Sequence, residues 1–136
     1  MTSQHQFLHP SHWKATPGYS NGMAATGRLV VTGGMVGWNA DQQFESDDFA
    51  DQAGLALRNI VAVLAEAGAR PDHIVRLTWY VTDKRAYLDS LSELGRTYKT
   101  AIGRHYPAMA LVQVVALVED RALVEIEATA VIPEGA

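Results

Sequence analysis

The sequence contains no cysteine, and this absence excludes several kinds of site at once. Disulfides, thiolate metal sites and cysteine nucleophiles all need that side chain. The sequence also lacks a basic run, and its net charge is −4. Because phosphate binding needs clustered lysine and arginine, we expect no nucleic-acid partner.

Long apolar runs are missing as well. No segment approaches the roughly 20 uninterrupted apolar residues that a membrane helix needs. The N-terminal stretch MTSQHQFLHPSHWK lacks the apolar region of a signal peptide. We therefore expect no membrane partner and a cytoplasmic location.

The composition that is present fits one globular domain. Of 136 residues, 48% are hydrophobic and 19% charged, which is the balance of a chain that can bury a core. We expect a single domain over residues 1–136. Residues 1–17 are polar and aromatic with two prolines, and we expect them to form an arm lying on the surface.

Hydrophobic periodicity predicts five strands and two helices in the order β-β-α-β-α-β-β. Thr26-Gly27 is placed as the turn of a first hairpin, and the sequence VEDR as the turn of a last one. The predicted strands are 19–25, 28–35, 73–83, 108–117 and 123–132, and the predicted helices are 49–67 and 86–102.

This order predicts an α+β fold, with both helices packed on one face of a mixed or antiparallel sheet. The strand predicted at 108–117 is apolar on both faces, with Met109 and Leu111 on one side and Ala110 and Val112 on the other. A single short chain cannot cover both faces. The pattern therefore predicts association of subunits through the sheet.

Five segments in order resemble the RidA/YjgF family of reactive-intermediate (enamine/imine) deaminases. They are PGYSNG at 17–22, LVVTGGMVG at 29–37, HIVRLTWYVTD at 73–83, HYPAMALVQVVAL at 105–117 and VEIEATAVIP at 124–133. The resemblance implies a chorismate-mutase-like fold and a homotrimer with a ligand cleft between subunits. It also implies hydrolysis of 2-imino or 2-enamino acids to 2-keto acids and ammonia, with no cofactor and no metal.

The resemblance further implies the site. Tyr19 and Glu125 match the catalytic positions, with Glu125 acting on water, and Gly33 and Gly34 match the glycine turn that lines the cleft. Met109, which follows Ala108, stands where the family has an arginine that pairs with the substrate carboxylate. Methionine cannot pair with an anion. We therefore expect a substrate that is neutral, larger or differently anchored, bound beside Ala108 and Met109.

Other interpretations of these residues stay open. Glu125 also fits an interface or solvated position, and Tyr19 and Met109 also fit packing roles. Three functions follow: an imine or enamine hydrolase acting on a non-standard substrate, a small-molecule-binding protein that keeps the cleft, and a structural or regulatory trimer. Retention of Tyr19 and Glu125 favours the first over the third, and replacement of the anchor by Met109 favours the second over a standard deaminase.

Overall fold

The computed structural model describes residues 4–135, and within this range the chain forms strands, helices and one 3-10 turn at Pro71–His73. The strands are β1 (Gln6–Leu8), β2 (Gly22–Ala24), β3 (Gly27–Val31), β4 (Met35–Val36), β5 (Ile74–Val81), β6 (Ala108–Gln113) and β7 (Val124–Pro133). The helices are α1 (Phe49–Ala65), α2 (Lys84–Asp89) and α3 (Leu91–Ala101).

The main sheet has the strand order β3-β7-β5-β6, and β4 also pairs with β7. Strand β7 is antiparallel to β3, β4 and β5, whereas β5 and β6 are parallel, so the sheet is mixed. Helices α1 and α3 contact each other and cover one face of this sheet. The predicted α+β fold, with two main helices packed on one face of a mixed sheet, is confirmed.

Helix α1 forms because its ends are capped and its apolar residues recur at helical spacing. The Asp48 carboxylate accepts a hydrogen bond from Asp51 N at the first turn. Ala53, Leu57, Ile60 and Leu64 follow one stripe and are fully buried. This stripe builds the core against the sheet.

Strand β7 shows how the two faces of the sheet differ. Val124, Ile126, Ala128 and Ala130 alternate with half-buried residues and are buried on the side of the helices. The residues between them point to the opposite side. We call the helix side the covered face and the opposite side the open face.

The predicted hairpin at Thr26-Gly27 is wrong. Strand β2 pairs with β1, and β3 pairs with β7. Gly27 marks a close approach between strands, because a Cβ at this residue would lie 1.9 Å from the Ile132 carbonyl oxygen. The turn-like dipeptide is therefore the place where the chain leaves one sheet and enters another.

The strand predicted at 28–35 is interrupted between β3 and β4. The Thr32 hydroxyl accepts from Ala128 N and donates to the Gly33 carbonyl, so a side chain replaces part of the backbone ladder there. The polar arm predicted for residues 1–17 contains strand β1, which pairs with β2. Residues 1–3 of that arm lie outside the described residues.

The helix predicted at 86–102 is divided at Ser90, whose hydroxyl donates to the Ala86 carbonyl. The last predicted hairpin, at VEDR, is also wrong. Strand β5 lies between β6 and β7, so these two strands do not pair. Val114 N still donates to Val81 O, and residues 114–123 then cross the end of β5. Strand β6 accordingly stops at Gln113 rather than at residue 117.

Candidate functional site

A cavity of about 490 Å³ opens between helix α3, strands β5 and β6 and the segment Pro17–Tyr19. None of the residues that line it carries a charged side chain. The aromatic lining residues are Tyr19, Trp79, Tyr87, Tyr98 and Tyr106. The aliphatic and thioether side chains of the lining are those of Pro17, Leu91, Leu94, Met109 and Leu111.

The parallel pairing of β5 and β6 places the floor of this cavity. Met109 lies opposite Leu77, and Leu111 opposite Trp79. Because paired residues in a sheet share a face, and Leu77 and Trp79 are buried in the core, Met109 and Leu111 also lie on the covered face. Met109 is half-buried and packs against the core.

Backbone contacts hold Tyr19 at the mouth of the cavity. Ser20 N donates to the Pro107 carbonyl (3.1 Å), and the Ser20 hydroxyl donates to the Tyr106 carbonyl (2.5 Å). These bonds align the segment beside the start of β6. The Tyr19 side chain remains 43% exposed, so its ring borders the opening and is accessible to a ligand.

The inner wall is rigid and aromatic. Tyr98 and Tyr106 stack with ring centroids 5.4 Å apart, and the Tyr98 hydroxyl donates to the His105 carbonyl (2.6 Å). Burial raises the pKa of Tyr98 well above its usual value, which keeps the phenol neutral. The Trp79 indole nitrogen is buried and has no hydrogen-bond partner within the described residues.

Glu125 lies on the open face, where it pairs in register with Tyr80 on β5 and with Val36 on β4. Its carboxylate rests against the backbone at Gly34, because a Cβ at Gly34 would lie 2.2 Å from Glu125 Oε2. A glycine is therefore required for this carboxylate position. A Cβ at Gly33 would meet nothing within 4 Å.

The neighbouring carboxylate, that of Glu127, has a different environment. It accepts a hydrogen bond from the Tyr80 hydroxyl (2.5 Å) on the same face. This hydrogen bond and the negative charge of Glu127 raise the pKa of Tyr80. Glu127 is thus held by Tyr80, whereas Glu125 is positioned by the glycine turn.

The residues predicted for the site therefore form two groups within one chain. Tyr19 and Met109 lie together at the cavity, whereas Gly34 and Glu125 lie together on the open face. Ala108 is buried and pairs with Arg76, which in turn pairs with Thr129 on the open face. Ala108 therefore faces away from the cavity. The sheet itself separates the two groups.

Sequence reasoning missed the helical wall of the cavity. Leu91, Leu94 and Tyr98 follow helical spacing, which the sequence indicates only as core packing. Gly95 was the available signal, because a glycine inside a helix costs about 1 kcal/mol relative to alanine and so stands out from a packing pattern. Tyr87 and Tyr106 gave no comparable signal, since both stand near the ends of elements.

Within residues 4–135 there is no group of three or more His, Cys, Asp or Glu side chains placed to hold a metal ion. In the same range, no helix combines the length and the apolar character needed to cross a membrane.

Comparison with known proteins gives consistent results. The family model described as Endoribonuclease L-PSP matches residues 10–132. A 2-iminobutanoate/2-iminopropanoate deaminase of Escherichia coli K12 is 32% identical over 108 residues, covering 77% of this chain and 80% of that protein.

Solved structures agree. A Rid-family protein of unknown function from Yersinia pestis, YyfB, is 28% identical with a TM-score of 0.84, covering 94% of this chain and 98% of that one. Escherichia coli TdcF with bound serine is 29% identical with a TM-score of 0.66, covering 93% and 98%. The match to the family model, the identity to deaminases and the shared fold together show that this chain belongs to the RidA/YjgF family.

Proposed function

We propose that the protein is an imine or enamine hydrolase, a deaminase, whose substrate is not anchored by an arginine–carboxylate pair. The observation that carries this proposal is Met109, which lines an uncharged aromatic cavity at the position where the resemblance implies an arginine. The family membership and the relatives named as deaminases support the reaction type.

The proposed active site lies between subunits of a homotrimer. The cavity with Tyr19 and Met109 and the carboxylate of Glu125 are on opposite faces of one sheet, so a single chain cannot bring them to one substrate. Association of copies would place the partner subunit's Glu125 across the mouth of the cavity. The partner's open face would then complete the cleft.

Exposed apolar residues support this assembly. Leu29 is 65% and Val31 61% exposed on the open face, and Val115 and Val118 stand out from the loop after β6. Surfaces of this kind mark association sites in soluble proteins. In the trimer these side chains would be buried between subunits, where they stabilise the assembly.

The chemistry needs only water and two side chains. Glu125 removes a proton from water as the oxygen attacks the carbon of the C=N bond, and the nitrogen, which receives the electron pair of that bond, takes the proton from Glu125. Glu125 then removes the hydroxyl proton of the tetrahedral adduct and passes it to the nitrogen, so that the C–N bond breaks, ammonia leaves and a carbonyl remains. The Tyr19 hydroxyl, at the mouth of the cavity, hydrogen-bonds the reacting group.

The lining of the cavity restricts the substrate. A carboxylate placed against Met109 would lose its water without gaining a partner, which costs several kcal/mol. Small 2-imino acids whose only recognition group is a carboxylate should therefore be poor substrates. A neutral compound, or one bound by its side chain, avoids this cost.

Met109 also favours one alternative function. A trimer that keeps the cleft but has lost the chemistry would bind a small molecule without hydrolysing it, as a regulatory or carrier protein.

Ammonia release from imines generated in situ by an amino-acid oxidase tests the proposal. The wild type should act weakly on 2-iminobutanoate, Met109→Arg should act faster on it, and Glu125→Gln added to Met109→Arg should remove that gain. Wild-type hydrolysis of 2-iminobutanoate as fast as that of an arginine-bearing relative would contradict the argument from Met109.

Two further outcomes separate the alternatives. If Met109→Arg folds and assembles but gains neither hydrolysis nor stabilisation by 2-oxobutanoate, the binding-protein function is preferred. Light scattering tests the assembly: a mass near three times the 14.8 kDa chain is expected, and a monomer at micromolar concentration would exclude the shared site.

A further inference from the structure

Gly95 stands in the middle of helix α3 and lines the cavity. Glycine is among the poorest helix formers, because its backbone loses the most freedom on folding. A Cβ built on Gly95 would meet nothing within 4 Å. Gly95 is exposed and has open space beside it, so the helix carries an unfavourable residue where it borders the cavity.

The surroundings of Gly95 indicate what this space suits. The stacked rings of Tyr98 and Tyr106 form one wall, and Trp79 and Tyr87, which meet edge to face at 6.4 Å, form another. The Tyr98 hydroxyl is already used by the His105 carbonyl. The cavity therefore offers ring faces and C–H groups, which favour a flat apolar group.

Size leads to the same class of ligand. A volume of about 490 Å³ lies within the roughly 300–1,000 Å³ range of small-molecule sites. An imine with a three- or four-carbon skeleton would leave much of that volume unfilled. A phenyl or indole side chain would fill it and bury apolar surface against the tyrosine rings.

We propose that this cavity binds the aromatic side chain of the substrate and that Gly95 provides the room for its ring. The substrates are then 2-imino compounds with an aromatic side chain, held by that side chain and not by a carboxylate. This inference rests on the proposed function, because it assigns the substrate class of the same site.

Binding of stable keto analogues tests the inference without catalysis. The probes are 2-oxobutanoate, phenylpyruvate and 2-oxo-3-phenylpropanamide, with affinity measured by titration calorimetry on the full chain. Phenylpyruvate should bind at least about tenfold more tightly than 2-oxobutanoate. The two keto acids differ only in that a phenyl ring replaces the terminal methyl group. The neutral amide should bind at least as tightly as phenylpyruvate, because Met109 offers nothing to a carboxylate.

Gly95→Leu fills the space, and Arg96→Leu is the matched control on the exposed side of the same helix. Gly95→Leu should weaken both ring-bearing probes by about tenfold or more, whereas Arg96→Leu should change them by less than about twofold. Gly95→Ala is the milder variant: it should raise the melting temperature and weaken the ring-bearing probes to a smaller extent.

Equal affinity for phenylpyruvate and 2-oxobutanoate, absence of binding by any probe, or unchanged binding by Gly95→Leu would each overturn the inference. Loss of subunit association in Gly95→Leu, with binding retained, would show that a second copy fills the cavity and would overturn it too.

Failure of the inference and failure of the proposed function are distinguishable. Gly95-dependent binding of the ring probes, with no ammonia released from any imine, would support the cavity assignment and reject the hydrolase. Rapid hydrolysis of small imines, without binding of the ring-bearing probes, would reject the cavity assignment and retain the proposed hydrolase function.

Discussion

The two faces of the main sheet use the same strands for different purposes. On the covered face, Leu77, Val124 and Ile126 are fully buried under the helices, and the packing leaves an apolar cavity at the β6 edge. On the open face, carboxylates, Tyr80 and exposed leucine and valine side chains lie side by side. Alternation along each strand produces both surfaces from one sequence.

Stability and the groups available for chemistry lie on different faces of the sheet. The covered face supplies the folding energy of the chain, because its apolar groups leave water when the chain folds. The open face keeps its apolar and ionisable groups half in water, so it is available for assembly and for chemistry. The proposed site joins the edge of the first face to the second face of a partner subunit.

The largest effect is expected when a covered-face leucine is shortened. Leu77→Ala leaves a cavity at a fully buried position and should lower the free energy of unfolding by about 2–5 kcal/mol. Leu29→Ala, its open-face counterpart, should cost less than about 1 kcal/mol in the isolated chain. Urea denaturation measures both.

Measuring the stability of both variants over a series of protein concentrations separates the two effects. The Leu77→Ala loss should persist at every concentration, whereas the Leu29→Ala loss should grow where subunits associate. Equal losses for the two variants in the dissociated chain would contradict the distinction between the faces.

The next largest effect concerns the open-face carboxylate. In Gly34→Ala the new methyl group would displace the Glu125 carboxylate, since the two would overlap at 2.2 Å. Ammonia release should fall about tenfold or more, while the free energy of unfolding should change by less than about 1 kcal/mol because the displaced end of the side chain is flexible. Gly33→Ala, which meets nothing within 4 Å, should keep most activity. Equal activity in the two variants would show that the Glu125 position does not matter.

A third comparison uses one hydroxyl from each face. Tyr98→Phe leaves the buried His105 carbonyl without its donor and should cost about 1–2 kcal/mol of unfolding free energy. Tyr80→Phe removes the bond to Glu127, which water can replace in the dissociated chain, so its cost should be smaller. Thermal denaturation of both variants at low protein concentration measures the difference. A larger loss in Tyr80→Phe would reverse our assignment of the two environments.

The smallest effect on stability is expected when the pH is lowered. It arises from two histidines at the end of the sheet that the N-terminal arm covers. Burial lowers the pKa of His73, assisted by the charge of Arg70 and opposed by that of Asp72. Burial likewise lowers the pKa of His105, opposed by its hydrogen bond to the Ile74 carbonyl and by Asp72, while His5 lowers both values. His105 Nε2 donates to Ile74 O, and His73 Nδ1 accepts from Arg70 N.

Because the folded-state pKa values are lowered, the unfolded chain takes up protons first. Stability is therefore retained above about pH 6.5 and falls as the pH decreases below it, by under ~1 kcal/mol for each ring between pH 7.5 and 6. Urea denaturation at these two pH values measures the loss. His105→Gln should reduce the pH dependence relative to the wild type. An unchanged slope in His105→Gln would remove that ring from the explanation.

Periodicity predicted the layers well because burial is a local pattern. The helix predicted at 49–67 is found at Phe49–Ala65, and the strand predicted at 73–83 is found at Ile74–Val81. Strand partners were predicted badly. Thr26-Gly27 and VEDR look like hairpin turns locally, but β3 pairs with β7, and β5 separates β6 from β7. Pairing depends on residues far apart in the sequence, which local signals do not contain.

The candidate site divides in the same way. The family motifs, the methionine at position 109 and the alternation that places Glu125 opposite the buried side of β7 could all be identified from the sequence alone. The fold was needed to show that Met109 lines an aromatic cavity with Gly95, and that Glu125 lies on the other side of the sheet. Residue types are fixed by the chain, but a cavity exists only when side chains from distant segments pack around a space that they leave unfilled.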